Sequence, residues 1–269
     1  MVISKKSIGL SILAGILMGW ASFQGIYRAG AYSNETLNWA AQAMAQDYVS
    51  LYLACPALLI SAYLAYKGSF KAYLVWLGTL IYVIYSYALY SFAIHFGPNF
   101  LVYVAVLGFS FYAAVGSLMD LSWHNLADSF VRVKTKYPAI LLFAIGFMFY
   151  FLWLSDIFAA LSDNSLPADL AETGLIVNPV HVLDMAFILP GAIFTALALR
   201  RRKTIGYLSA VPFMVFFAIM GIAILSIFRV TAQSGFSVAA PQVIIMTVIV
   251  ILSLAASLRF LGGVKDKDN

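Results

Sequence analysis

Charge is the scarcest property of this 269-residue chain: 16 Lys and Arg with 11 Asp and Glu make up 10% of it, against 63% hydrophobic residues. A soluble domain carries roughly 25% charged residues, so the expected solvent is a lipid bilayer. Cysteine is nearly absent as well. Cys55 stands alone within an apolar run, which excludes an intramolecular disulfide and a cysteine-based metal cluster. The sequence has no G-x-x-x-x-G-K-[ST] loop, which removes that mode of ATP binding. No lysine falls inside a span-length apolar run, no two histidines lie deep in such runs, and there is no arginine ladder. A retinal Schiff base, a transmembrane haem relay and a voltage sensor are not expected. The formal charge of +5 could point to nucleic acid, but the basic residues sit in short clusters between apolar runs. That is the pattern of membrane topology, not of nucleic-acid binding.

What the chain has in abundance is length of apolar sequence. A helix needs about 20 apolar residues to cross a hydrocarbon core of about 30 Å, and segments near 8–27, 47–66, 72–94, 99–121, 138–160, 180–199, 205–228 and 238–260 meet that length. The reading is an all-α, polytopic membrane protein of eight helices forming one transmembrane domain over 1–269. Of the basic residues, Lys5, Lys6, Lys67, Lys71, Arg132, Lys134, Lys136, Arg200, Arg201, Arg202, Lys203, Arg259, Lys265 and Lys267 fall on one side, and only Arg28 and Arg229 on the other. Glu35, Asp47, Asp163, Asp169, Glu172 and Asp184 collect on that second side. The positive-inside rule then predicts both termini in the cytoplasm of a cell bounded by this plasma or inner membrane. One helix more or fewer would spoil the sorting. Lys5-Lys6, the first apolar run and Ala29-Gly30-Ala31 resemble a secretory signal, but the run is long for one and Arg28 interrupts it, so a retained helix is expected.

The order of features repeats. A shift of 134 residues brings Lys67 onto Arg201, Tyr73-Leu74 onto Tyr207-Leu208, and Pro56 onto Pro190. Residue identity under the shift is poor, so a parallel repeat with halves 1–134 and 135–269 rests on feature order alone.

Ionisable groups within spans are functional candidates by default, and the predicted topology puts several of them near the outer level. Asp47 opens the second span, Asp156 lies about a turn inside the fifth, and His181 and Asp184 occupy the first turns of the sixth. Tyr85, Tyr90 and Asn178 add hydrogen-bonding groups. Each has a plainer reading. Asn178-Pro179 has the form of a helix cap followed by a first-turn proline. Asp47 and Asp184 sit where a helix dipole favours an anion. His95, beside Gly97-Pro98, reads as a loop residue, and the outermost tyrosines read as an interfacial belt. Asp156 near a helix C-terminus lacks such an excuse and is expected to need a partner or a proton. His181 and Asp184, three apart, share a helix face; with His95 they are the candidate ligands of a divalent metal such as zinc.

Three functions remain open from the residues. The first is a transport, channel or receptor-like module with an outward-facing polar pocket for a small solute, proton or cation. The second is a membrane-embedded metal-dependent enzyme with an extracytoplasmic His/Asp site. The third is a structural subunit of a larger membrane complex or homo-oligomer. Gly15-x-x-x-Gly19 permits close helix approach, Asn34-Glu35-Thr36 is a glycosylation sequon, and the basic segment 122–137, with Trp123 and Phe130, is expected to lie as an interfacial helix against headgroups.

Overall fold

The computed structural model describes residues 3–121, 126–130 and 132–265, and among these the chain is helical without strands. Eight helices are long and apolar enough to cross a membrane: α1 (Lys5–Tyr27), α2 (Leu37–Tyr66), α3 (Phe70–Ala93), α4 (Phe100–Met119), α5 (Lys136–Ser162), α7 (Pro179–Arg200), α8 (Thr204–Gln233) and α9 (Ala240–Gly263). A short α6 (Ala168–Thr173) lies between the fifth and sixth of them. This fits a multi-pass membrane protein.

The helices begin where short polar side chains satisfy orphan amides. Ser4, Thr36, Ser69 and Asn178 each accept from a backbone N–H two or three residues on. α1 to α4 pack as one ring, with α1 against both α2 and α4; α5, α7, α8 and α9 form a second ring, and α3 meets α8 between the rings. α3 is the most enclosed of the spans, while α5 lies at the periphery. Gly15 and Gly19 find their partner in α2, where Gly15 meets Leu59 and Gly19 meets the Cys55 sulfur.

Two spans carry the same irregularity. In α2 the turn Ser50–Ala54 is π-helical, with the Cys55 N–H reaching the Ser50 carbonyl. In α7 the turn Asp184–Ile188 does likewise, with the Leu189 N–H on the Asp184 carbonyl. Pro56 and Pro190 each follow one residue beyond the turn. A proline ring clashes with the carbonyl four residues back and lacks an N–H, and widening the preceding turn relieves both without breaking the helix.

The second span departs from its expected bounds. It starts at Leu37, not near 47, because Thr36 caps it (Trp39 N–H to Oγ1, 3.3 Å) and its polar residues find partners within the protein. Asp47 therefore lies ten residues inside a helix and caps nothing. α8 likewise runs to Gln233, so Arg229 is helical. In the segment 122–137, Trp123 lies outside the described residues. The described part is a 3₁₀ turn (Ala127–Phe130) leading to α5. Phe130 is buried against Phe70, Tyr207 and Phe260 and plugs the basic end of the bundle instead of lying on a headgroup surface.

Candidate functional site

Asp47 is 1% exposed, and both of its carboxylate oxygens are held by phenols. Tyr32 donates to Oδ2 at 2.5 Å and Tyr90 to Oδ1 at 2.9 Å. Tyr32 comes from the loop after α1, whose successive turns (Ala31 to Arg28, Ser33 to Gly30, Glu35 to Tyr32) fold the ring inward. Gly25 makes room for it: a Cβ there would fall 1.8 Å from Asp47 Oδ2 and 2.7 Å from the Tyr32 hydroxyl. Burial first, and the Asp47 charge second, push the Tyr32 phenol well above its ordinary 10.0. Its contribution is complete below that ordinary value and declines only as pH rises beyond it, so Tyr32 remains a donor at neutral pH.

No cationic side chain pairs with Asp47 among the described residues, where the one ion pair is His95 with Glu35. Ser22 of α1, fully buried, lies beside the same carboxylate with its hydroxyl unpartnered. The Tyr90 hydroxyl has a second acceptor, the Ala43 carbonyl, also at 2.9 Å. Next along α2, Gln46 donates to the Tyr82 hydroxyl (2.9 Å) and to Ser86 Oγ (2.7 Å).

Tyr82, Ser86 and Tyr90 thus share the α3 face toward α2, being four residues apart. The belt reading fails for Tyr90, which is buried, and for Tyr87, whose hydroxyl donates to the Met18 carbonyl of α1. Tyr85 leaves α3 on another side and donates to Asp184 Oδ1 at 3.0 Å, while the Trp153 indole of α5 donates to Oδ2 at 3.0 Å. The Tyr150 hydroxyl takes the Met185 carbonyl at 2.6 Å, satisfying a group that the widened turn displaces. The His181 ring lies 4.5 Å from the Trp153 ring.

The expected residues therefore form two clusters instead of one wall: Asp47 with Tyr90, and Asp184 with Tyr85 and, through Trp153, His181. Asn178 is the helix cap, its Oδ1 accepting from Val180 N–H (2.9 Å) and His181 N–H (3.4 Å) and its amide donating to Asp169. His95 is an exposed loop residue whose Nδ1 and backbone N–H both bond Glu35. It does not join His181 and Asp184, and among the described residues no group of three or more His, Cys, Asp or Glu converges as metal ligands would. Asp156 is exposed on α5, and its side chain makes no hydrogen bond or ion pair with the described residues. Tyr32, Gln46 and Trp153 complete the clusters. Tyr32 and Gln46 carried no sequence signal, whereas Trp153 reads from the sequence as a hydrogen-bonding group near the outer level, one turn before Asp156.

Removing one donor from Asp184 is expected to be costly. Trp153→Phe and Tyr85→Phe should each lower stability by about 1–3 kcal/mol, the penalty of an unmade bond to a charged or buried acceptor, measured as thermal unfolding in detergent. A Trp153→Phe variant as stable as wild type would show that this bond contributes little.

Eight apolar helices and two internal carboxylate clusters define the chain as an integral membrane protein of the multi-pass class. Comparison with protein-family models, curated proteins and solved structures gives no match.

Proposed function

We propose that this is a transport-type membrane module in which Asp47 takes up and releases a proton. The observation that supports it most is the double acceptor of Tyr90. When a proton adds to Asp47 Oδ1, that oxygen becomes a donor to the Tyr90 oxygen at 2.9 Å, and the Tyr90 hydrogen turns to the Ala43 carbonyl, equally distant. Protonation thus exchanges one complete set of hydrogen bonds for another without displacing a heavy atom. A carboxylate kept in an apolar bundle without a counter-charge is costly, and loading a proton removes that cost. The unpartnered Ser22 hydroxyl offers a further group to the loaded site.

The same reading takes the chain as a tandem parallel repeat of four helices, halves 1–134 and 135–269, with both termini cytoplasmic by the basic-residue sorting. Three coincidences under the 134-residue shift support it. The two π-helical turns superpose, Ser50–Ala54 onto Asp184–Ile188. Gly68 and Arg202, both at positive φ, end the proline-bearing helices. Equivalent residues also meet one another: Asn38 donates to Glu172 at 2.7 Å, and Gly78 abuts the Pro212 carbonyl, as residues on a two-fold axis do.

The exposure of Asp156 on α5, on the side opposite the exposed Phe147, Phe151 and Phe158, favours a second role as a subunit of a membrane assembly, since lipid is a poor neighbour for a carboxylate. The transport reading is tested in vesicles carrying an imposed pH gradient. Wild type should dissipate the gradient, and Asp47→Asn should slow it by roughly a hundredfold, the low end for a positioned proton-transfer group. An intact gradient with wild type, or equal rates for both proteins, overturns it.

A further inference from the structure

At the basic end of the bundle, away from both carboxylate clusters, a cavity of about 630 Å³ opens where the turn before α5 meets the start of α8. Lys134, Lys136 and Arg202 line it together with Thr135, Thr204 and Tyr207, and among the described residues no acidic side chain does. None of the three cations is in an ion pair among the described residues. The helices α5 and α8 both begin here, and neither N-terminus is capped by a side chain, so their free amides and dipoles add to the positive field.

A second cavity of about 640 Å³ continues from the first, sharing Thr135 and Lys136 and running down α5 past Ala139, Ile140, Phe143 and Phe147. Arg200 marks its mouth, and the rest of its lining is apolar. The backbone adds an independent sign. Arg202 sits at φ 53, in the left-handed region that side chains disfavour, while the matching turn of the first half places Gly68 at φ 109. A glycine would serve the turn at less cost. Instead the chain holds an arginine there, at the wall of the cavity.

We propose that this is a binding site for an acidic phospholipid, with its phosphate held by Lys134, Lys136 and Arg202 and an acyl chain along the α5 groove. A cationic recess that shares part of its wall with an apolar groove matches an amphiphile, and a soluble anion would leave the groove unused. Arginine and lysine at a helix N-terminus suit a phosphate oxygen set, and the threonine and tyrosine hydroxyls add donors for the rest of the headgroup.

Purified protein is titrated with phosphatidylglycerol, with phosphatidylcholine and with inorganic phosphate, reading the melting temperature and, by native mass spectrometry, the retained lipid. The expected result is saturable stabilisation by phosphatidylglycerol alone. Arg202→Gly keeps the backbone of the turn comfortable and should weaken that binding by roughly tenfold, the weight of one charge-assisted hydrogen bond. Arg201→Ala, whose side chain does not line the cavity, should leave it unchanged. Ala144→Trp, filling the exposed part of the groove, should lower lipid retention. Equal retention of the two lipids, equal losses at Arg201 and Arg202, or full stabilisation by inorganic phosphate would each overturn the proposal, the last by making the site one for a soluble anion.

Discussion

Gly25→Ala is expected to dismantle the Asp47 clasp. The added methyl would fall 1.8 Å from one carboxylate oxygen and 2.7 Å from the Tyr32 hydroxyl, distances that no side-chain adjustment short of expelling one partner can restore. Asp47 is enclosed by α1, α3 and the inward loop, so there is no open direction for it to take. The cost should be about 1–3 kcal/mol, the usual range for overpacking a closed interior. The proton-dependent behaviour of Asp47 should vanish with it. Thermal unfolding checks the first part, and vesicle flux the second. Gly108, with nothing within 4 Å of its Cβ position, serves as the control. Gly108→Ala should be neutral or stabilise by roughly 0.5–1 kcal/mol through helix propensity.

The second large effect is expected where the two helical rings meet. A Cβ at Gly78 of α3 would lie 2.7 Å from the Pro212 carbonyl oxygen and 2.7 Å from the Val215 Cβ of α8. Unlike the Gly25 case, the obstacle is partly backbone, which cannot rotate away. Helix pairs in a bilayer are held mainly by close packing, so a forced separation there weakens every contact along the seam. Gly78→Ala should destabilise by about 1–3 kcal/mol, and Gly78→Val by more. A Gly78→Ala variant with an unchanged melting temperature would show that α3 and α8 do not approach as described.

The number of spans was readable from hydropathy because eight apolar runs of sufficient length are separated by short polar loops. The start of α2 was not. Its first turns, "LNWAAQAMAQ", are too polar to look like a span, yet Asn38 bonds Glu172, Gln42 bonds Asn38, and Gln46 bonds Tyr82 and Ser86. Apart from the local Gln42–Asn38 bond, those partners come from distant sequence, and no local pattern announces them. The misplaced start put Asp47 at a helix end, where the dipole seemed to explain it, when it is an interior group. Asn178 was legible because a cap is a local device, satisfied within three residues. Tyr32 was hidden for the opposite reason: it reaches Asp47 from a loop fifteen residues away, through a gap left by the missing side chain of Gly25. Asp156, expected to need a partner, makes no ion pair among the described residues, and His181 is near enough to feel its charge.

The central claim is that Asp47 exchanges a proton within the bundle, and difference infrared spectroscopy between acidic and alkaline buffer reads it most directly. The account predicts a protonated-carboxyl band in the wild type that is lost in Asp47→Asn and shifted in Tyr90→Phe. A wild-type band that persists unchanged in Asp47→Asn would contradict it.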